Sequence, residues 1–456
     1  MEFINKYIFG TAVPVMLILA GIFFAFVLKC FHITRLPQIL RVFTKKSPEG
    51  GISPFRAVTL ALAGTLGVGN IVGVAAAVML GGFGSVFWMW VSALCAMLLK
   101  YAEIVLAMRH RKYEEDGKPH GAAMYYIKDF FVSHSLPRIG KAIAAVFALL
   151  CILNALSMGS MMQANAISES MEGVFGVSPV LCGALLCLLC FIIVNRGTEV
   201  MARFTEILVP LMTLGYIVIS LAVLIIRRDA LGDAFMLIIN DALSPESATG
   251  GIVGFLLSRA LRFGTMRGLV SNEAGCGTAP AAHASSNAKS APEQGFWGIF
   301  EVFTDTIILC TMTALVLIVN FDGLKYRGSY IMLTIDAYSS VLGNYASIFL
   351  GISVLCFGFA TIICWAHYGI ESVRYLSDKK IIKNTFIAIY AISAFMGGII
   401  SSESVWGVAD LAIGGMTIIN VVIICLMYKE VKSDTEDYFS SPVKNKKILK
   451  KGVDKD

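Results

Sequence analysis

Two glycine-rich stretches decide the reading of this chain: ALAGTLGVGNIVG at Ala61–Gly73 and GTMRGLVSNEAGCGTAP at Gly264–Pro280. Each interrupts an apolar segment with the length of a bilayer span, about 20 residues. A helix broken at membrane depth frees N–H and C=O groups that lipid cannot satisfy. Such a break persists only where it lines a protected cavity. Two breaks at matching places in two halves of a chain point to a solute site of the secondary-carrier kind.

Composition supports a membrane setting. Of 456 residues, 57% are hydrophobic and 15% charged, and the mean hydropathy is +0.75. A soluble domain is nearer a quarter charged. The net charge of +6 sits largely in short loops, which is a topology signal and not a nucleic-acid footprint. Most of the eleven cysteines lie inside apolar segments and read as small packing residues. The first apolar run follows the acidic Glu2 and reads as a retained helix, not a signal peptide.

About eleven spans are expected, near 10–29, 54–80, 84–108, 141–166, 178–194, 203–226, 249–278, 295–319, 343–369, 382–400 and 405–428. Basic residues fall in alternate loops: Lys29 to Lys46, Arg109 to Lys112, Arg196 to Arg203, Arg374 to Lys380, and Lys444 to Lys451 in the tail. They place the N-terminus outside and the C-terminus in the cytoplasm; Arg227 and Arg228 are the exceptions. Without the first helix, ten spans form two groups of five, each opened by a broken helix. An odd number per repeat forces inversion. The expected organisation is an extra helix and loop at 1–50, repeats at 51–228 and 229–430, and a cytoplasmic tail at 431–456. The charged stretch after Tyr428 reads as solvated and disordered.

The first break holds Gly64, Thr65, Leu66, Gly67, Gly69, Asn70 and Gly73. Small-residue helix packing is one reading. The other is an unwound hinge whose carbonyls hold Na+ and whose half-helix N-terminus holds a carboxylate. The second break carries Arg262, Arg267, Ser271, Asn272 and Glu273. Charges at that depth need partners or water. Ser157, Ser160 and Gln163 share a stripe in the fourth span, facing either a cavity or a neighbouring helix. Glu301 and Asp305 share a face four residues apart. They are either ion-paired to Arg259, Arg262 or Arg267, or form a proton relay. Thr361 offers a hard oxygen donor for an alkali cation, or bonds back to its own helix. His367 reads as an interfacial residue. No HExxH, P-loop or Ser-His-Asp set is assembled, so neither an enzyme nor a cofactor is expected.

At these residues the chain resembles the alanine or glycine:cation symporters. GVGNIVGVAAAVMLGGFGSVFWMW (67–90), KYAEIVLAMRHR (100–111), RGLVSNEAGCGTAPAAHA (267–284), FTDTIILCTMTALVL (303–317) and VWGVADLAIGGM (405–416) are similar to that family's motifs, and the SNEAG string is highly specific. The resemblance extends from about Gly51 to Met427. It implies an all-α integral membrane protein with a LeuT-type 5+5 inverted repeat, an extra N-terminal helix and two broken helices. It implies symport of a small neutral amino acid with Na+ across the plasma membrane, with no obligate protein partner. On these positions the amino acid is expected at Gly64, Thr65, Gly67, Gly69, Asn70, Gln163, Ser271 and Asn272. Sodium is expected at Thr361 with carbonyls near Gly64 and Leu66. Glu273, Glu301 and Asp305 are expected to couple ions or pair structurally. Ala360 stands where the family usually has Ser, GAAMYYI (121–127) replaces G-P-M-Y-Y-I, and Ser160 replaces a common Asn. The lost hydroxyl at Ala360 removes one potential cation ligand. Proton coupling through Glu301 or Asp305 is the alternative mechanism; a channel is a more distant one.

Overall fold

Serine caps followed by proline start several of the helices. Ser53 Oγ accepts the Arg56 N–H at 3.2 Å ahead of Pro54, and Ser178 Oγ accepts the Leu181 N–H at 3.3 Å ahead of Pro179. The cap satisfies one orphan donor, and proline at the first turn sacrifices an N–H that had no partner. The computed structural model describes residues 12–45, 50–113, 117–243, 259–324, 326, 328–400 and 403–440.

The helices are α1 (Val13–Val27), α2 (Pro54–Thr65) and α3 (Val74–Gly81) joined through a π turn at Gly69–Gly73, α4 (Gly84–Arg109), α5 (Ala123–Ser133), α6 (Pro137–Phe175), α7 (Pro179–Asn195) and α8 (Thr198–Ile226). Then come α9 (Arg259–Asn272), α10 (Ala279–Ala284), α11 (Ala291–Val319), α12 (Tyr330–Leu342), α13 (Asn344–Leu376), α14 (Lys380–Ile399), α15 (Glu403–Leu426) and α16 (Tyr428–Ser440). One short hairpin, β1 (Lys112–Tyr113) with β2 (Pro119–His120), follows α4. Among the described residues, each of the eleven expected spans overlaps a helix. Among the described residues, seven helices are long and apolar enough to cross a membrane alone, or eight with the bent α2–α3 pair. The start of the second broken span, 249–258, lies outside the described residues, as does 441–456. Helices outside the expected spans are α5, α10, α12, α16 and those at Phe31–Thr34, Leu36–Phe43 and Leu231–Ala242.

The outer surface is lipid-like. On α8, Ile207, Leu211, Leu214, Val218 and Ile225 are exposed at helical spacing, a stripe of a size that water would not tolerate but acyl chains cover. Inside, small residues bring helices together. A Cβ on Gly264 would overlap the Ser85 carbonyl, and one on Gly298 would overlap Ile104, so α9 and α11 pack backbone-close on α4. Gly264 therefore sits in continuous helix; the second break begins later, at Glu273.

Residues 428–440, expected to be solvated, are not coil. As α16 they dock under α4: Tyr101 and Thr435 hydroxyls meet at 2.8 Å, and Arg109 pairs with Glu430 at 3.0 Å and Asp434 at 2.6 Å. His110 ties this helix to α5, with Nε2 3.0 Å from Glu430 and Nδ1 3.0 Å from Asp129. Its charged composition concealed the helix because the partners are remote in sequence. Burial alone would push the His110 pKa down, but its hydrogen bonds to the Asp129 and Glu430 carboxylates, with their charges, outweigh it and raise it to about 9. The contribution to docking is complete below the ordinary 6.5, declines as pH rises from there to about 9, and is absent above. Hydrogen exchange of peptide 428–440, corrected for intrinsic rate, should show protection falling across that window in the wild type and staying flat in His110→Gln. Equal protection at both ends in the wild type would refute the clamp.

Candidate functional site

The first break can be followed bond by bond. In a continuous helix Ala63, Gly64 and Leu66 carbonyls would accept from residues 67, 68 and 70. Here Gly67 N–H turns to Thr65 O at 2.8 Å, Val68 N–H goes to Gln163 Oε1 at 3.1 Å, and Asn70 N–H goes to Gly67 O at 3.3 Å. The Ala63 carbonyl accepts instead from Thr361 Oγ1 at 2.8 Å, a hydroxyl that also lies 3.0 Å from Phe357 O in its own helix. Gly64 and Leu66 carbonyls have lost their helical donors. The two halves, 54–65 and 69–81, meet at 49°.

Glycine at 67 is required by this geometry. A Cβ there would stand 2.6 Å from Thr361 Oγ1 and 3.1 Å from Gln163 Oε1, so α6 and α13 close on the break from two sides. Gln163 holds its own amide by donating to Met158 O at 3.2 Å. Its stripe mates Ser157 and Ser160 serve packing: Ser157 bonds Leu153 O, and Ser160 meets Ser393 Oγ at 2.9 Å and Tyr390 O on α14. Thr65 Oγ1 returns to Leu62 O. Gly69 faces Ser271, whose Cα a Cβ would approach at 3.9 Å.

Asn70 leads from the first break to the second. Its Nδ2 donates to Asp305 Oδ1 at 2.7 Å and lies 3.1 Å from Ser271 Oγ, which donates to Asp305 Oδ2 at 2.8 Å. Thr306 Oγ1 reaches the same carboxylate oxygen at 2.7 Å and accepts from Asn272 Nδ2 at 3.1 Å. Because a carboxylate only accepts, the Asn70 amine must face Asp305. The Asn70 Oδ1 is then left buried with no donor.

The second break is settled by side chains. Glu273, Gly275 and Gly277 have φ of 51°, 85° and 77°, the left-handed region that a side chain disfavours. Gly277 N–H donates to Glu103 Oε1 at 2.8 Å, and Asn420 Nδ2 donates to Gly275 O at 3.0 Å and also to Glu103. Asn272 Oδ1 caps Ala274 N–H at 3.0 Å. Glu273 spans the gap to α13, accepting Trp365 Nε1–H at 3.1 Å and the Thr278 hydroxyl at 2.7 Å.

The expected pairing of Glu301 and Asp305 with arginine is corrected. Glu301 pairs with Lys100 at 3.2 Å and with His283 Nε2 at 3.1 Å, all three fully buried; His283 Nδ1 meets Gln294, which meets Ser286. Asp305 is held by neutral donors. Lys100 was nearer to hand than any arginine, being on α4 packed directly on α11. His367 is likewise corrected: it is buried, not interfacial, with Nε2 3.1 Å from Ala281 O. Lys100, Glu103, His283 and Asn420 were missed as site residues. The lone ionisable pair in KYAE, inside an apolar span, was the available signal.

The sequence profile of the sodium:alanine symporter family matches residues 1–451. The sodium/alanine symporter AgcS of Methanococcus maripaludis is 33% identical over 443 residues, covering 95% of this chain and 96% of that protein. The uncharacterized transporter YflA of Bacillus subtilis is 32% identical over 451 residues, covering 97% and 93%, and the amino-acid carrier protein AlsT of the same organism is 30% identical over 441, covering 96% and 90%. Among solved structures, MhsT in complex with L-phenylalanine superposes with a TM-score of 0.56 at 15% identity, covering 85% of this chain and 93% of that one. A manganese transporter of Eremococcus coleocola gives 0.52 at 11%, covering 89% and 92%. At those identities the likeness carries the fold alone, which is the LeuT type. With the family profile spanning nearly every residue and relatives about a third identical end to end, the chain belongs to the sodium:alanine symporter family and is a membrane-embedded transporter, not an enzyme.

Proposed function

We propose that this protein couples Na+ entry to uptake of a small neutral amino acid, alanine or glycine, by alternating access between two inverted repeats at 51–228 and 229–430. The observation that carries it is the first break. A buried Asn70 Oδ1 lacks a donor, which the α-ammonium of an amino acid supplies. The half-helix beginning at Gly69 presents the positive end of its dipole to the carboxylate. Gln163 braces the break through Val68 N–H. The Ala63, Gly64 and Leu66 carbonyls with Thr361 Oγ1 form a set of hard oxygens suited to Na+. Ser271, Asp305 and Thr306 orient Asn70 from behind. The close approach at Gly67 leaves room for a small side chain only. The relative AgcS, named for sodium and alanine, supports the same pairing.

A zwitterion carries no net charge, so each cycle moves at least one positive charge inward. A membrane potential of about 100 mV contributes roughly 2.3 kcal/mol per charge. The basic loops favour a cytoplasmic C-terminus in the plasma membrane, with uptake directed inward. One second reading has specific support: the buried Lys100–Glu301–His283 chain offers groups for proton coupling. Uptake driven by a pH gradient with choline replacing sodium, and lost in Glu301→Gln, would favour it.

Labelled alanine uptake into proteoliposomes should require an inward Na+ gradient; sodium-independent uptake sinks the coupling. Thr361→Ala should raise the half-saturating Na+ concentration by about tenfold, since one of a few oxygen ligands is lost. Asn70→Ala should weaken alanine binding about tenfold to hundredfold, the worth of a hydrogen bond to a charged group, with the Na+ dependence less affected. Calorimetric binding on purified protein checks the second, and an unchanged affinity would remove Asn70 from the site.

A further inference from the structure

A polar stripe on α13 leads away from the Thr361 hydroxyl. Thr361, Cys364, Tyr368 and Glu371 are spaced three, four and three residues apart, so they share one face. By helical rise Tyr368 lies about 10 Å below Thr361, and Glu371 about 5 Å further. The top of the stripe touches the first break at Ala63 O. The bottom opens into a cavity of about 320 Å³, lined by Ile52, Lys118, Arg196, Ser285, His367 and Glu371 among others. That cavity lies at the end of the molecule where the basic loops gather.

Tyr368 is the unexplained member. Its hydroxyl is buried with no nitrogen or oxygen partner; only the Cys364 thiol, a weak partner, lies beside it. A phenol buried without a partner is costly, and phenylalanine would fill the same space. The hydroxyl is aimed at the first break, because a Cβ on Gly64 would stand 3.0 Å from it and 2.9 Å from Cys364 Sγ. Gly64 is also a residue whose carbonyl the break has left without its helical donor.

We propose that the Tyr368 hydroxyl, against Gly64, is a transfer station for a monovalent cation between the Thr361 site and the cytoplasmic cavity, where the Glu371 carboxylate, paired on its other side with Arg374 at 3.1 Å, receives it. The inference rests on sodium coupling as the function. A hydroxyl between them divides about 15 Å of low-dielectric path into two shorter steps, and conduction through protein favours several weak sites over one tight one. On the cavity wall His367 bridges Thr198 on α8, at 3.5 Å, to Ala281 on α10, at 3.1 Å. Moving α10 away would break that bridge.

Tyr368→Phe tests the station, because removing an unpartnered hydroxyl leaves packing intact and should not lower the thermal midpoint. Three quantities are read in proteoliposomes and on purified protein: the Na+ dependence of alanine binding, net Na+-driven uptake, and alanine exchange with saturating Na+ on both sides. The variant should bind Na+ within about twofold of wild type and exchange normally, while net uptake, which requires sodium to leave, slows about fivefold or more. Unchanged net uptake would overturn the station. So would a loss shared equally by exchange and uptake, or a Na+ affinity displaced as in Thr361→Ala. Wild-type uptake indifferent to sodium would instead overturn the coupling itself.

Discussion

The architecture depends on what becomes of backbone groups that two helices fail to pair inside the membrane. Hydrocarbon offers them nothing, and each unsatisfied group costs several kcal/mol there. The two breaks answer this differently. At the second, protein side chains take the freed groups: Glu103 the Gly277 N–H, Asn420 the Gly275 carbonyl, Asn272 the Ala274 N–H. At the first, Gln163 and Thr361 take one donor and one acceptor, and the Gly64 and Leu66 carbonyls are left without their helical donors. Protein groups close the second break and leave the first partly open.

This division explains the placement of the buried charges. Lys100 and Glu103 sit one turn apart on α4, and Lys100 faces Glu301, Glu103 and Glu273. A buried ion pair seldom adds stability over apolar packing, but losing one partner is strongly destabilising. The set therefore fixes how α4, α9, α10 and α11 meet more than it strengthens them. Against that frame α2, α3 and α13 carry the open carbonyls and the hydroxyl stripe.

Much of this was legible in the sequence, and the reasons for the rest are physical. Gly64, Gly67 and Gly69 marked the first break because glycine clusters have few other uses in an apolar span, and Gln163 and Thr361 stood out as polar groups at depth. Both amide and hydroxyl do meet the break. Sequence could not say that Glu301 would choose Lys100 over three arginines, since that depends on which helices adjoin. Asn420 lay in an apolar run that gave no hint of Gly275. The helix at 428–440 hid behind its charges, because its contacts reach residues 101, 109 and 110, more than 300 positions away.

Glu273 holds a left-handed backbone, φ 51°, where glycine would rest at ease and any other residue gives up about 1 kcal/mol. Only a carboxylate at that spot reaches both the Trp365 indole and the Thr278 hydroxyl. The turn is thus held by two hydrogen bonds, one within its own segment to Thr278 and one across to Trp365 on α13. Losing the indole bond would free this turn at the head of the short helix Ala279–Ala284, so Trp365 and that helix are tied through one carboxylate.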